Sequence, residues 1–174
     1  NTNFIDYRYQ AGFARINYSI ENKYLLNLTG RRDGSTRFGP GRQYANFGAV
    51  GAGWIFSEEN FLKRKNAILS FGKIRMSYGI TGNDQIGDYQ YLDNYAGGGY
   101  IYQGIPATYP ARLFNPNYAW ETNKKFETGL DLAFLKDKIL LTLNYYRNVS
   151  GNQLINYQLP GQAGFSSILE NFNA

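Results

Sequence analysis

Alternation of apolar and polar side chains at every second residue is the feature that most constrains this chain. It runs through GFARINYSI (12–20) and resumes in YLLNLTGRRD (24–33), after the short polar stretch ENK (21–23). A three-residue turn would keep the matching faces together and place Ile16 beside Leu28. The pattern therefore predicts an antiparallel hairpin of two long strands.

The same period of two continues further along the chain. It predicts four more strands, at 47–56, 69–81, 125–135 and 138–148. A two-residue turn at 136–137 would pair Leu130 with Leu143. Between the third and fourth strands, residues 57–66 read as a short helical turn with Ser57 as its N-cap. Residues 149–174 read as loop.

Strand length and loop length favour a membrane barrel over a soluble sheet. The strands are about ten residues long, which suits an outer-membrane barrel. Short turns would lie at one end, and long external loops, at about 34–46 and 82–123, at the other. Six strands are too few to close such a barrel. We therefore predict an all-β fold, an antiparallel transmembrane β-barrel of which this chain forms about six strands. A soluble β-sandwich fits the alternation equally well and stays open.

In a barrel, the polar face of each strand would line the lumen. Lys73 and Arg75 of the fourth strand would then meet Glu127 and Asp131 of the fifth, if those strands are neighbours. The predicted lumen residues are Arg15, Asn17, Asn27, Thr29, Arg31, Lys73, Arg75, Glu127, Asp131 and Asn144.

Composition excludes several classes of function. The chain has no cysteine and no histidine, which rules out Ser-His-Asp and Cys-His catalysis. Its net charge of +5 is spread along the sequence, so nucleic acid is not an expected partner. The glycines of GAVGAG (48–53) have the wrong order for a dinucleotide loop, and NDQIGD (83–88) lacks the spacing of a calcium loop. We predict no catalytic residue, no metal and no cofactor.

The long loop at 82–123 is rich in tyrosine, which offers an apolar ring with a polar tip. Such a loop could bind a sugar or a peptide, and it could equally pack against neighbouring loops. Its candidate ligand or lid-contacting residues are Asp84, Asp88, Tyr89, Tyr91, Tyr100, Tyr102 and Trp120. Two further hypotheses use the same loop: a soluble sugar-binding module, and a hydrolase that would use Asp84 and Asp88.

The stretch RRDGSTRFGPG (31–41) marks a place where a strand leaves the membrane. We expect Arg31 to end a strand on the lumen face and Asp33 and Gly34 to begin the turn. Arg32 falls on the lipid face by parity. At the outer end of the strand its side chain can reach the headgroup region.

Three blocks carry a resemblance to a known family. RRDGS-x-RFG, GNDQIGDYQYL and WET-x-KKFE-x-GLDL occur in this order with suitable spacing. From about residue 11 to 172, the chain resembles the SusC/RagA-type TonB-dependent transporters of Bacteroidetes outer membranes.

The resemblance implies a barrel of about twenty-two strands filled by an N-terminal plug. It implies import of oligosaccharides or peptides, driven by TonB through that plug, and a SusD-like surface lipoprotein as lid. Residues 1–174 would be one segment of the barrel domain, and the plug would lie outside these residues. Outer-membrane lipid would surround the barrel. A scaffolding role for the barrel in a larger outer-membrane complex is the alternative.

Overall fold

The computed structural model describes residues 5–63 and 68–172. They form a six-stranded antiparallel sheet and two separate two-stranded hairpins. The strands are β1 (Tyr9–Ile20), β2 (Tyr24–Ser35), β3 (Tyr44–Trp54), β4 (Leu69–Asn83), β5 (Asn94–Tyr102), β6 (Ile105–Arg112), β7 (Glu121–Phe134), β8 (Ile139–Gly151), β9 (Gln153–Gln158) and β10 (Ser167–Phe172). Two 3₁₀ turns (Phe56–Glu58 and Gly161–Ala163) and one helix, α1 (Asn60–Lys63), complete the elements.

The six-stranded sheet has the order β1-β2-β3-β4-β7-β8. Its register confirms the predicted pairs: Ile16 lies opposite Leu28, and Leu130 lies opposite Leu143. The turn at 21–23 is as predicted, with the Lys23 amide donating to the carbonyl of Ile20 at 2.9 Å. A slip by one residue would move every apolar side chain to the other face, so the alternation fixes this register.

Several boundaries differ from the sequence prediction. Asp33 and Gly34 belong to β2 and do not start a turn, so the first long loop covers only 36–43. Strands β4, β7 and β8 also extend further at the long-loop end than predicted. Strands pair through backbone N–H and C=O groups, so polar side chains do not prevent the strands from continuing there.

The irregular appearance of two segments was misleading. The loop between β4 and β7 contains the hairpin β5–β6, and the tail predicted as loop contains the hairpin β9–β10. Both are rich in glycine, proline or amide residues, which hide a strand pattern. The Ser57 prediction was also wrong, because Ser57 lies inside the 3₁₀ turn and caps no helix.

Apolar side chains cover one face of the sheet from β1 to β8 and remain exposed. Ile16 is 61% exposed, Met76 49% and Leu143 54%. No second sheet of the described residues packs on this face, since the other two sheets are short hairpins at the long-loop end. The β-sandwich alternative needs such a second layer and is therefore wrong. No helix in the described ranges is long and apolar enough to span a membrane.

Two aromatic residues at the short-turn end have their polar groups hydrogen-bonded. The Tyr24 hydroxyl donates to Glu59 at 2.7 Å, and the Trp54 indole N–H donates to the same carboxylate at 3.2 Å. These two hydrogen bonds lower the pKa of Glu59. The ring of Phe56 lies over Gly72, where an added Cβ would clash with it. The short-turn end is thus closed by aromatic rings, as expected at a membrane interface.

Candidate functional site

The polar face of the sheet collects all the predicted lumen residues. Cross-strand register places them on the side opposite the exposed apolar face. This face holds Arg15, Asn17, Asn27, Thr29, Arg31, Lys73, Arg75, Glu127, Asp131 and Asn144. The structure therefore brings them onto one continuous surface.

Arg75 is the centre of a charged network on this face. Its guanidinium donates to Asp131 at 3.2 Å and to the side-chain oxygen of Asn144 at 2.6 Å. The Glu127 Oε1 lies 3.6 Å from the Arg75 Nη1. The predicted meeting of opposite charges between β4 and β7 is confirmed for Arg75, and Lys73 lies opposite Asp131 in the strand register. Gly129 leaves room for the Arg75 side chain, because a Cβ there would come within 2.7 Å of the Arg75 Nε and the guanidinium would have to shift.

A second group of polar side chains follows β1 and β2. Asn27 donates to Asn17, and the Thr29 hydroxyl donates to Asn27 at 3.3 Å. Arg31 bonds Asp33 at 2.6 Å and donates to the Tyr9 hydroxyl at 2.5 Å. The surface offers fixed donors and acceptors across several strands. Such a surface can hydrogen-bond a polar solute or another domain.

No metal-binding arrangement occurs in the part of the chain that the structure describes. No group of three His, Cys, Asp or Glu side chains converges there. Glu127 and Asp131 on the polar face are both engaged by Arg75.

The largest fully buried side chains among the described residues lie at the long-loop end. Phe38, Tyr118 and Trp120 form this loop cluster, and Phe38 stacks on Trp120 with ring centroids 4.8 Å apart. Phe47 meets the edge of Trp120 at 5.6 Å, and the indole N–H donates to the carbonyl of Gln43 at 3.2 Å. Two segments distant in sequence, 38–47 and 118–120, are held together by these rings.

Trp120 was a candidate ligand residue, and the structure gives it another role. It is 6% exposed and faces the cluster, so its ring is not available to stack on a solute. Tyr91 is half-buried and packs against the same cluster, with its ring over Gly39. Trp120 and Tyr91 therefore fit the alternative hypothesis, in which the loops pack against one another and do not bind a ligand with these side chains.

Tyr118 is the most deeply placed polar group of the cluster. It is 1% exposed, and its hydroxyl has no hydrogen-bond partner among the described residues. Burial raises the pKa of Tyr118 to about 12. The ring is therefore buried because of its packing contacts, although its hydroxyl is left without a hydrogen bond.

Arg37 ties the candidate loop acids into the same end of the molecule. Its guanidinium donates to the Asp88 carboxylate and to the Asp84 carbonyl, both at 2.8 Å, and lies 4.2 Å from the centre of the Tyr7 ring. The Tyr7 hydroxyl donates to the Asp84 carboxylate at 2.7 Å. Burial and this hydrogen bond raise the pKa of Tyr7. Both carboxylates thus hold the loops together, which is the arrangement of a structural clamp.

The remaining tyrosine candidates fall into two groups. Tyr89 is 39% exposed, and its hydroxyl accepts a hydrogen bond from the Asp6 amide at 3.0 Å. The side chains of Tyr100 and Tyr102 lie outside the described part of the structure. Tyr89 therefore remains a candidate for contact with a ligand or lid.

Sequence reasoning missed two amides that hold the loop end. Asn115 donates to the carbonyl of Leu169 at 2.6 Å. Asn171 bonds both backbone groups of Ala119 at 2.9 Å and also donates to the carbonyl of Asn152. They fasten β10 to the segment before β7. The only available signal was the turn-like NPN (115–117), which does not reveal a partner fifty residues away.

The chain is similar to known proteins over nearly its whole length. The family model described as TonB dependent receptor-like, beta-barrel, matches residues 1–174. TonB-dependent receptor P39 of Formosa agariphila is 37% identical over 162 residues, covering 93% of this chain and 15% of that protein. TonB-dependent receptor SusC of Bacteroides thetaiotaomicron is 35% identical over 161 residues, covering 89% of this chain and 16% of SusC.

Solved structures agree with the sequence relatives. The RagAB peptide importer in its open-open state matches with a TM-score of 0.84 and 26% identity, over 95% of this chain and 18% of that one. The RagAB peptide transporter matches with a TM-score of 0.81 and 27% identity over the same shares. The chain thus spans less than a fifth of these proteins. It belongs to the TonB-dependent receptor-like β-barrel family, whose members are outer-membrane barrels of the SusC and RagA kind.

Proposed function

We propose that this chain forms part of the barrel wall of an outer-membrane importer, driven by TonB, that takes up oligosaccharides or peptides. The observation that carries the proposal is the division of the sheet into two faces. One face is mostly apolar and exposed across six strands, and the other carries the acids of the described sheet and most of its amides. A wall between lipid and a water-filled lumen requires this division.

In this proposal the apolar face contacts lipid and the polar face lines the lumen. Arg75, with its acidic and amide partners, would contact the plug or the passing solute. An importer needs weak, reversible contacts along its path, and exposed hydrogen-bonding groups provide them. No covalent chemistry is needed, so the protein would not be an enzyme.

The long-loop end would face the cell exterior. The loop cluster and the Arg37 clamp would fix the loops into a stable rim, and Tyr89 would remain accessible on it. A SusD-like surface lipoprotein would close over this rim as a lid. Coupling to TonB would run through a plug domain outside these 174 residues.

The two proposed solute classes rest on relatives. The peptide class is supported by a similar structure, the RagAB peptide importer, and the oligosaccharide class follows from the resemblance to SusC/RagA-type transporters. A polar wall of amides, arginine and carboxylates suits either class, since both carry many hydrogen-bonding groups.

Growth on defined nutrients tests the proposal. The gene for the full-length protein would be deleted, and growth measured on single oligosaccharides and on peptide mixtures as sole nutrient. We expect a growth defect on at least one solute class, restored by the wild-type gene. Normal growth on every solute, with loss of another outer-membrane complex, would favour the scaffold alternative.

A further inference from the structure

Three basic side chains lie on the mostly apolar face of the sheet. Arg32 of β2, Lys124 of β7 and Arg147 of β8 are exposed there, and we refer to them as the basic belt. Among the described strands of the sheet, the acids all lie on the polar face: Asp33, Glu121, Glu127 and Asp131. The belt therefore has no carboxylate beside it on its own face.

The belt lies where the apolar face ends. Arg32 is eight residues beyond Tyr24, the first residue of β2, and Arg147 is eight residues beyond Ile139, the first residue of β8. Eight residues span about 26 Å along a strand, or about 20 Å across a membrane after the usual tilt. The apolar band of an outer-membrane barrel is about 25 Å tall. Long basic side chains at this height reach the headgroups of the leaflet on the long-loop side.

Two members of the belt are close neighbours. Arg147 lies opposite Phe126 and Lys124 lies opposite Val149, so the two cations are diagonal neighbours on one face. Like charges in this position repel each other. No described acid offsets the repulsion, so an anion from outside the chain would stabilise the pair.

Arg32 stands apart at the other side of the sheet. Its guanidinium lies 5.3 Å from the centre of the Tyr44 ring, and no described carboxylate forms an ion pair with it. A shallow depression of about 480 Å³ lies beside it, with Gly12 and Gly30 in its lining. This leaves room next to the guanidinium for a bulky headgroup.

We infer that the basic belt binds the phosphate groups of phosphorylated lipids in the outer leaflet. Phosphate at headgroup height is the anion that meets these cations, and a guanidinium pairs with it through two parallel hydrogen bonds. The inference rests on the proposed function, because it requires the apolar face to contact lipid. It adds a lipid-binding role that transport itself does not require.

A photo-cross-linking experiment tests the belt directly. Tyr145 is 58% exposed on the same face, two residues before Arg147. It would be replaced by p-benzoylphenylalanine in the full-length protein, exchanging one aromatic ring for another. The protein would be placed in phosphatidylcholine liposomes that contain lipid A with two phosphates. K124Q/R147Q is the test variant, and K136Q/K138Q removes two exposed lysines at the opposite end of the sheet as the matched control.

We expect cross-links to phosphorylated lipid A, falling about tenfold or more in K124Q/R147Q. The yield should stay unchanged in K136Q/K138Q, and dephosphorylated lipid A should cross-link as weakly as the test variant. Equal cross-linking yields from all variants, with both lipids still captured, would overturn the inference. The proposal that this face contacts lipid would still stand. Capture of a second protein molecule would also overturn it. Absence of every lipid cross-link would contradict the proposed function itself.

Discussion

The six-stranded sheet and the loop cluster differ in how far their apolar side chains are buried. On the sheet, Ile16 and Leu143 stay more than half exposed, although strand pairing is regular from β1 to β8. In the cluster, Phe38 and Tyr118 are almost completely buried. The sheet therefore depends on its surroundings to cover its apolar face, while the long-loop end carries a small core of its own.

The loop cluster also gives a structural role to the three sequence blocks that carry the family resemblance. Phe38 comes from RRDGSTRFG, Tyr91 from GNDQIGDYQYL, and Trp120 from the block that begins with WET. The three blocks meet in one cluster. Their rings pack on one another and hold the loops in place.

The largest expected effect is in the loop cluster. Phe38→Ala removes a fully buried ring stacked on Trp120, and we expect it to lower the free energy of local opening by about 3–5 kcal/mol. Hydrogen exchange of segments 36–43 and 113–120 in the full-length protein measures this opening. Phe13→Ala is the control, because Phe13 is 78% exposed on the polar face. Equal protection in both variants would show that the cluster does not hold the loops.

The next prediction concerns the two faces of β4. Met76→Arg places a charge on the apolar face, and we expect a cost of about 2–4 kcal/mol in the free energy of folding into liposomes. Ser77→Arg, one residue along and on the polar face opposite Glu127, should cost little. Urea titration of the refolded full-length protein gives both values. A similar cost for both variants would contradict the assignment of the faces.

The unsatisfied hydroxyl of Tyr118 gives a smaller effect with a pH signature. Because burial raises its pKa from 10 to about 12, the folded cluster holds the neutral phenol. The stability that this provides is present below pH 10 and is lost as the pH rises towards 12. Tyr118→Phe should remove this part of the pH dependence and stabilise the cluster by about 1 kcal/mol at neutral pH.

Hydrogen exchange of segment 113–120 as a function of pH measures this change. Tyr89→Phe is the matched control, since Tyr89 is partly exposed and its hydroxyl is hydrogen-bonded. An identical pH dependence in wild type and Tyr118→Phe would mean that Tyr118 is not held neutral by burial.

The smallest effect is expected on the polar face. Asp131 and Arg75 form a partly exposed pair, so their coupling should be worth about 0.2–1 kcal/mol and should weaken in salt. A double-mutant cycle of Asp131→Asn and Arg75→Gln, measured by urea titration, isolates the coupling. A coupling several times larger would show that this network is a structural core and not a hydrated lumen surface.

The sequence predicted the sheet well because one physical rule governs it. Strict alternation fixes which side chains share a face, so the Ile16–Leu28 and Leu130–Leu143 pairs could be stated in advance. The meeting of Arg75 with Asp131 followed from the same parity. The alternation weakens at the long-loop end, and the predicted strands were too short there.

The loop end could not be predicted in the same way. Arg37 bonds Asp88 fifty-one residues away, and Trp120 bonds the Gln43 carbonyl seventy-seven residues away. Loops have no periodic pattern that reveals such partners. Trp120 therefore looked like a ligand residue, although its ring is part of the cluster.

The most direct test of the two-faced wall is a cysteine scan of β8, since this chain has no cysteine of its own. Single cysteines at positions 139 to 148 would be introduced into full-length protein otherwise free of cysteine. Labelling with a charged, water-soluble maleimide would then be measured in intact outer membranes. We predict labelling at the even positions, including Thr142 and Asn144, and protection at the odd positions, including Leu141 and Leu143. Uniform labelling, or labelling of the odd positions, would contradict the assignment of the two faces.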